Sequence, residues 1–286
     1  MSAAPPHEAA LGELIANASI EIAPRGCGDI TAVADLLPVN TCIYVPAPAQ
    51  RPLSETLAAV AAIRRAGLDP VPHIAARRFA SRAELADFVA AVVGGHGVHR
   101  IMLIAGDEPQ ARGPFADALQ VLESGILSAA GIREVGVAGY PEGHGRIAAQ
   151  ALEQAFAGKR ALASAQGLGL YVVTQFSFST TRITAFCVGL ARRAPEVPVY
   201  VGIAGPTDPI KLMRYAQICG VSASLRAMRN LGAGMVGLAT HTDPQEQLLA
   251  LAHHGDGLSN VIGIHLFSFG GALATAGWLQ QRLHKS

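Results

Sequence analysis

Short apolar runs recur eight times along this chain, and each is followed by a segment with the Ala/Leu/Arg-rich pattern of an amphipathic helix. The runs are continuous and do not alternate with polar residues, which is typical of strands buried on both faces of a helix-covered parallel sheet. The sequence therefore predicts repeated strand–helix units. The predicted strands are Ser19–Ala23, Thr41–Ala47, Pro70–Ala75, Arg100–Gly106, Val135–Tyr140, Leu170–Phe176, Pro198–Ala204 and Asn260–Phe267.

Several of the intervening segments carry the start and stop signals of helices. Ser81 and Glu84 have the spacing of a capping box. Glycine favours the end of a helix, and proline favours its first turn. The remaining predictions are a helix that opens at Ser54 and stops at Gly67, a longer helix over Gly143–Gly167, and a helix with Thr207 or Asp208 as N-cap and Pro209 at its first position.

Eight such units in 286 residues match the size of a closed barrel. We predict the α/β class and a single domain over residues 1–286, a (β/α)8 TIM barrel with residues 1–17 as a peripheral N-terminal segment. A doubly wound open sheet is the main alternative. No G-x-G-x-x-G motif follows the first predicted strand, which lowers the weight of that alternative.

The formal net charge is +1, and lysine and arginine do not cluster, which argues against a nucleic-acid-binding or membrane-surface protein. No apolar run reaches the ~18–20 residues of a membrane span without a charge or a helix breaker. The N-terminus lacks the pattern of a signal peptide. The four cysteines are scattered, without a Cys-x-x-Cys pair, so neither a zinc site nor a disulfide framework is indicated. We expect a protein of the reducing cytoplasm.

Polar residues interrupt or follow most of the predicted strands. In a (β/α)8 barrel the carboxyl ends of the strands meet at the mouth, where catalytic residues gather. Glu21 is the most informative, because a carboxyl between isoleucines is desolvated and its pKa is raised, as suits a general acid. Asp107 has the alternative role of capping the following helix, and His265 that of a hydrogen-bonded core residue. The full set is Ser19, Glu21, Arg25, His73, Asp107, Glu108, Tyr140, Glu142, His144, Thr174, Gln175, His265 and Phe267.

Together these stretches resemble the methylenetetrahydrofolate reductase family of flavin-dependent (β/α)8 barrels, over nearly the whole chain and in the family's order. "SIEIAPRG" is similar to S-F-E-F-x-P-P-R, "PHIAAR" to P-H-L-T, and "IAGDEP" to L-R-G-D-x-P. "VAGYPEGH" is similar to A-A-Y-P-E-x-H, "VVTQFSFS" to I-T-Q-F-F-F-D, and "VGIAGPTDPIKLMRYAQICGV" to the P-G-I-L-P-V segment and its helix. Six motifs in register are a specific match, although no single one is diagnostic.

The resemblance implies reduction of 5,10-methylenetetrahydrofolate to 5-methyltetrahydrofolate, or the reverse oxidation, by hydride transfer through FAD, with NADH or NADPH as the reductant. It implies Glu21 as the acid that assists opening of the five-membered ring, and Asp107 as the carboxylate beside the flavin and pterin. The implied FAD contacts are His73, Ile104, Ala105, Gly106, Asp107, Tyr140 and His144, with Lys159, followed by Arg160, as the nearest basic candidates for a family lysine. The implied folate contacts are Ser19, Gln175, Tyr215 and Phe267.

The departures from the family pattern fall mainly on cofactor contacts. The arginine of L-R-G-D is Ala105, the closing aspartate of T-Q-F-F-F-D is Ser179, and the arginine of the family's Y-T-L-N-R is replaced by Gly271. Two alternatives therefore stay open: a flavin-free barrel that binds pterin or folate without reducing it, and a metal-dependent barrel hydrolase. We assign no metal ligands. The partner we expect is the small folate molecule, and a homo-oligomer is left open.

Overall fold

Eight parallel strands close into a barrel in chain order, with β1 paired to both β2 and β8. The computed structural model describes residues 6–49, 51–221, 244–253 and 258–284. The predicted (β/α)8 fold is confirmed, and the open sheet is excluded by the β1–β8 pairing. The strands are β1 Ser19–Glu21, β2 Cys42–Val45, β3 Asp69–Ala75, β4 Arg100–Ile104, β5 Glu134–Gly139, β6 Gly169–Thr174, β7 Val199–Ala204 and β8 Val261–Phe267.

Helices follow the strands on the outside of the barrel. They are α1 Pro6–Ala16, α2 Ile30–Ala34, α3 Leu53–Arg65, α4 Arg82–His96, α5 Ala118–Glu123, α6 Ile126–Ala129, α7 Ala149–Ala165, α8 Thr180–Arg193, α9 Pro209–Ile218, α10 Gln245–His253 and α11 Ala272–Leu283. Short 3-10 turns cover Pro24–Asp29 and Ala76–Arg78. In the described part of the chain, no helix combines the length and apolar character needed to cross a bilayer.

Two of the predicted helix starts are confirmed by their caps. The Ser81 hydroxyl accepts a hydrogen bond from the Glu84 N–H, at 3.0 Å, at the start of α4. Asp208, and not Thr207, caps α9, where its carboxylate accepts hydrogen bonds from two backbone N–H groups and Pro209 is the first helical residue.

Two other predicted helix starts differ from the structure. The predicted start at Ser54 is wrong by one residue, because α3 begins at Leu53 and Pro52 holds the N-cap position without a side-chain bond. The helix predicted from Gly143 begins only at Ala149. Gly143 has a left-handed φ of 78°, and His144 and Ile147 pair in a short bridge, so this stretch turns before the helix can start.

The barrel has an apolar outer layer and a partly polar interior. Alternation along each strand sends one set of side chains toward the helices, where residues such as Ile20 and Val135 form the main core. The other set points inward, and Tyr44 and Tyr171 meet there with hydroxyls 3.1 Å apart. The Tyr171 hydroxyl also donates to the Ile101 carbonyl at 3.2 Å, so these buried phenols are satisfied.

An ion pair lies across the amino end of the barrel, and the carboxyl end carries the polar residues that the sequence predicted as site residues. Arg100 at the start of β4 pairs with Glu134 at the start of β5, at 2.7 Å, and lies over the Tyr171 ring. The opposite end presents the ends of β1, β3, β4, β5 and β6 together, because all strands are parallel. That end is the mouth of the barrel.

Candidate active site at the barrel mouth

Glu21 is the last residue of β1 and faces His73 across the mouth. The Glu21 Oε2 and His73 Nε2 atoms are 3.7 Å apart, which is longer than a hydrogen bond. Burial raises the pKa of the Glu21 carboxyl to about 7 and lowers that of His73 to about 3. Both groups are therefore uncharged just below neutral pH, and the pair is not a salt bridge. His73 Nε2 is buried without a hydrogen-bond partner.

Ser19 and His265 form a second polar pair, one layer deeper in the barrel. The Ser19 Oγ lies 2.9 Å from His265 Nδ1 and 3.3 Å from the Ile264 carbonyl oxygen. Both side chains are almost fully buried, and burial lowers the pKa of His265 to about 3. The His265 ring packs edge-on against Tyr44 and Phe267. Ser19 therefore fixes a neutral histidine beneath Glu21, as an ordinary hydrogen-bonded core pair would.

Asp107 stands on the loop that follows β4, directly after Gly106. Gly106 has a left-handed φ of 98°, and a Cβ there would lie 3.1 Å from the Ala75 Cβ, so this position favours glycine. Ile104 ends β4 and Ala105 follows it, both half-buried, while Asp107 is exposed. The strand thus delivers an exposed carboxylate to the mouth by way of a turn that only glycine adopts without strain.

Tyr140 follows β5 and links Asp107 to His144. Burial, and then the Asp107 carboxylate, raise the pKa of the Tyr140 hydroxyl. The rings of Tyr140 and His144 pack edge to face with centroids 5.0 Å apart. His144 Nδ1 accepts the Arg146 N–H at 3.2 Å, and burial and the Arg146 cation lower the pKa of the imidazole. These residues form the β5 side of the mouth.

The Cys219 thiol, next to Gln175, is close enough to both Glu21 and Asp107 for their charges to affect its pKa. The Gln175 side chain hydrogen-bonds to the Cys219 thiol, and its Oε1 accepts the Phe176 N–H at 3.1 Å. Burial raises the pKa of Cys219 to about 11, and the charges of Glu21 and Asp107 both add to the shift. Because the strands are parallel, Glu21 at the end of β1 and Asp107 in the loop after β4 lie at the same end of the barrel.

Cys219 was missed in the sequence, where it was considered only as a possible metal ligand or disulfide partner. The signal that would have found it is the helix period. It lies four residues after Tyr215 at the end of α9, so the two residues occupy one face of that helix.

An aromatic cluster forms the wall between β6, β8 and α9. Tyr215 stacks on Phe269 at 4.6 Å, and Phe267 lies parallel to Phe269 at 6.0 Å. Phe176 contacts both phenylalanines, and Cys219 packs at the edge of the group. Phe269 has a left-handed φ of 47°, which is unusual for an aromatic residue and turns its ring back toward Tyr215. Of this wall, the sequence predicted only Tyr215 and Phe267 as site residues.

The cavity between Tyr140, Gln175 and Cys219 has a volume of only about 10 Å³. It is smaller than ligand pockets of ~300–1,000 Å³. A larger groove of about 330 Å³ lies on the outside, between the 24–28 turn and α3; Arg25 lines it, but none of the predicted catalytic, cofactor or folate residues does. Among the described residues, no three His, Cys, Asp or Glu side chains are grouped closely enough to hold a metal ion.

Comparison with known proteins agrees with this architecture. Dihydropteroate synthase from Thermus thermophilus superimposes with a TM-score of 0.53 at 14% identity, over 94% of this chain and 92% of that one. The same enzyme in complex with 6HMPPP gives a TM-score of 0.49 at 13% identity, over 92% and 91% of the two chains. The first match supports the barrel fold and nothing finer. The family model described as methylenetetrahydrofolate reductase matches residues 37–233.

The chain belongs to the methylenetetrahydrofolate reductase family. The matched segment runs from the residues before β2 to beyond α9, and so includes His73, Asp107, Tyr140, Gln175 and Tyr215. Ser19 and Glu21 on β1 and Phe267 on β8 lie outside it. For these three residues, the support is their placement in the barrel beside the residues of the matched segment.

Two positions bear on the basic residues that the family resemblance implies. Ala105 supplies no charge at the mouth, as the sequence indicated. Lys159, the predicted basic contact, lies on α7, where burial lowers the pKa of its ammonium and Asp117 at the start of α5 raises it. In the described part of the chain, no hydrogen bond or ion pair joins Lys159 to the other predicted site residues.

A buried cation at the mouth was not predicted. Arg78, in the turn after β3, is 4% exposed, and its Nε lies 3.5 Å from the Glu108 carboxylate. Residues 105–117 follow β4 and form the β4 loop. The neighbouring Arg77 holds this loop by donating hydrogen bonds to the carbonyls of Ala116, at 2.8 Å, and Glu108, at 3.1 Å. The sequence could not reveal this pair, because it forms only when the β4 loop folds back over the turn after β3.

Proposed function

We propose that this chain is a flavin-dependent oxidoreductase that interconverts 5,10-methylenetetrahydrofolate and 5-methyltetrahydrofolate. Membership of the methylenetetrahydrofolate reductase family supports the folate substrate. The observation that carries the proposal is the Glu21 carboxyl, whose pKa burial raises to about 7, at the same end of the barrel as Asp107 and Gln175. An acid that holds its proton near neutral pH, beside a fixed carboxylate, suits the opening of an aminal ring.

Glu21 gives its proton to N10 of the folate in this mechanism. The bond between N10 and the methylene carbon breaks, its electron pair goes to the protonated nitrogen, and a 5-iminium cation remains. Neutral His73, 3.7 Å away, neither takes this proton permanently nor adds a competing charge, because burial holds its pKa near 3. The Asp107 carboxylate favours the cation electrostatically. Gln175 donates and accepts hydrogen bonds at the pterin edge, and Tyr215 and Phe267 supply an aromatic surface.

Two features of the mouth suit the binding of FAD, one steric and one a missing hydrogen-bond partner. Gly106 allows close approach of a flat ring, and the buried His73 Nε2 lacks a partner that a ligand atom would provide. The residues that would hold the flavin are His73, Ile104, Gly106, Asp107, Tyr140 and His144. When bound, FAD supplies the redox chemistry, accepting a hydride from NADH or NADPH and delivering it to the one-carbon unit. The chain's own part is binding, proton donation and charge stabilisation.

The test is a separation of the two half-reactions in Glu21→Gln. Glutamine keeps the shape of the side chain but has no acidic proton. We expect reduction of the bound flavin by NADH or NADPH at nearly the wild-type rate, and oxidation of the reduced flavin by methylenetetrahydrofolate slowed by about 10²–10⁴-fold. Both rates are measured by stopped-flow flavin absorbance. Glu123→Gln, an exposed residue of α5, is the matched control. An unchanged folate rate in Glu21→Gln would refute the acid assignment.

A flavin-free pterin-binding barrel is the second candidate, and two observations favour it. Ala105 removes a cation, and the cavity of about 10 Å³ must widen, by movement of its lining side chains, to hold both an isoalloxazine and a pterin. The absorbance spectrum of the purified protein, before and after incubation with FAD, separates the candidates. Flavin bands support the reductase, whereas a colourless protein that takes up no FAD yet binds folate supports the second candidate.

A further inference from the structure

The Arg78–Glu108 pair is incompletely satisfied for two buried charges. Arg78 Nη2 donates to the Arg51 carbonyl, and Nε approaches Glu108 Oε1 at 3.5 Å. Arg78 Nη1 and Glu108 Oε2 are both buried without a hydrogen-bond partner. Buried charges are costly unless every donor and acceptor is used, and unsatisfied groups persist mainly where a ligand or water completes them. The Arg78 guanidinium is thus held in place while its Nη1 has no hydrogen-bond partner. Its counterion, Glu108, is bound only weakly.

This pair lies at the barrel mouth. Arg78 ends the turn that follows β3, and Ala75 and Ile104 pair across the ends of β3 and β4. The free Glu108 Oε2 is 2.6 Å from the point that a Cβ on Gly106 would occupy, so this carboxylate lies against the glycine that precedes Asp107. The pair is therefore next to the residues that we propose to hold the ligand.

Two arginines and two carboxylates lie together at this site, so an anion is favoured only once one carboxylate moves away. The charged groups acting on the Arg78 guanidinium are Glu108, Arg112 and Glu84. Glu84 is engaged by the Ala80 N–H at 2.6 Å, which leaves Glu108 as the counterion that can move. Arg77 also contacts this loop through the Glu108 carbonyl. A fixed guanidinium fork is the preferred partner of a phosphate oxygen pair, whereas a carboxylate bound through one oxygen at 3.5 Å is weakly held.

We propose that Arg78 binds a phosphate group of the flavin nucleotide, and that Glu108 is a displaceable counterion that occupies the guanidinium until the phosphate arrives. This inference rests on the proposed function. Phosphate binding moves the Glu108 side chain toward solvent and gives Nε and Nη1 acceptor oxygens. The two residues then have opposite effects on affinity, because removing Arg78 deletes the cation and removing the charge of Glu108 deletes its competitor.

The experiment measures dissociation constants of the purified chain for FAD, FMN, riboflavin and inorganic pyrophosphate, by flavin fluorescence and calorimetry. In Arg78→Gln we expect roughly tenfold to hundredfold weaker binding of FAD, FMN and pyrophosphate, with riboflavin unchanged. In Glu108→Gln we expect FAD and pyrophosphate to bind tighter by about tenfold. Arg133→Gln, an exposed arginine on the far side of the β4–β5 unit, controls for net charge and should change nothing.

The outcomes separate this inference from the proposed function. If wild type binds FAD and riboflavin equally and Arg78→Gln alters neither, the phosphate site is wrong while the flavoprotein stands. If no flavin binds but pyrophosphate binds through Arg78, the flavin proposal is wrong and the anion site stands. Binding of neither overturns both. Should Arg78→Gln fail to fold, Glu108→Gln decides alone, since weaker or unchanged pyrophosphate binding in that variant contradicts a displaceable counterion.

Discussion

A single carboxyl, Glu21, links the chemistry of this barrel to its stability. Its neighbours Ile20 and Ile22 are fully buried, while its own side chain is 23% exposed. Period-two alternation explains this, because Ile20 and Ile22 face the helices and Glu21 faces the mouth. The carboxyl therefore has little water around its charged form, and the cost of ionising it falls on the folded state.

Replacement of Glu21 by glutamine should stabilise the protein at high pH. The pKa of Glu21 is raised from 4.5 to about 7, so the folded chain binds this proton more tightly than the unfolded chain. The stabilisation from that proton is complete below pH 4.5 and is lost as the pH rises to about 7. Relative to wild type, Glu21→Gln should gain roughly 1–3 kcal/mol in the free energy of unfolding between pH 4.5 and pH 8.

Urea unfolding at pH 4.5, 6 and 8 measures this gain. Glu123→Gln controls for the loss of one surface carboxylate. A difference between Glu21→Gln and wild type that stays constant with pH would mean that folding does not raise the pKa of Glu21, and its role as proton donor would lose its physical basis.

At the scale of elements, the β4 loop is the part of the mouth that is most tightly constrained by backbone packing. A Cβ on Gly113 would lie 2.3 Å from the Ala80 carbonyl oxygen and 2.6 Å from that of Phe79. The Arg112 N–H donates to the Arg77 carbonyl at 2.9 Å, which joins the same two segments. The position of Asp107 therefore depends on the close approach of two backbones at a glycine.

Gly113→Ala should loosen this contact and displace Asp107. The clash is with backbone atoms, which cannot rotate away, so we expect a loss of about 1–3 kcal/mol in the free energy of unfolding. Folate turnover should fall at temperatures where the variant is still folded. Gly95→Ala is the matched control, since a Cβ there meets nothing within 4 Å and lies within α4, where alanine adds ~0.5–1 kcal/mol. Equal urea midpoints for the two variants would contradict the proposed packing.

The strands were predictable to within about two residues because the outer core demands continuous apolar runs, as in "RIMLIAG" and β4. The start of α7 was not predictable from the sequence. Residues typical of helices extend back to Gly143, but a local turn delays the helix to Ala149. Glu21 and Asp107 were readable as polar interruptions at strand ends. The Arg78–Glu108 pair and the stack of Tyr215 on Phe269 depend on how loops fold over one another, which no strand or helix pattern encodes.

At the scale of the whole molecule, the barrel interior is not the apolar filling that continuous strand patterns suggest. Its carboxyl half contains Ser19, His73 and His265, and its middle contains the Tyr44–Tyr171 pair. Apolar runs predict the face toward the helices correctly, whereas the inward face mixes polar residues with apolar ones such as Val71, Met102 and Val173. The outer layer is therefore apolar throughout, whereas the interior combines an apolar cluster with groups whose charge states depend on pH.

The two interior histidines should make the fold sensitive to acid. Burial lowers the pKa of both His73 and His265 to about 3. The unfolded chain takes up these protons below about pH 6.5, so the stabilisation is present above that pH and is lost as the pH falls toward 3. Glu21 acts in the opposite direction, but two groups with larger shifts outweigh one, and the net stability should decline below pH 6.5.

His265→Asn tests this balance, because asparagine can keep the hydrogen bond to Ser19 yet cannot be protonated. We expect lower stability than wild type at pH 7, from lost packing against Tyr44 and Phe267, but a smaller further loss between pH 6.5 and pH 4. His73→Gln should also reduce the dependence of stability on pH between pH 6.5 and pH 4. This variant decides the outcome if His265→Asn does not fold. His99→Asn, which replaces an exposed histidine, should leave the pH dependence near that of wild type. Thermal and urea unfolding across the range measure all three. If stability falls as steeply between pH 6.5 and pH 4 in both interior variants as in wild type, other groups take up the protons. The neutral histidines proposed beneath Glu21 would then be wrong.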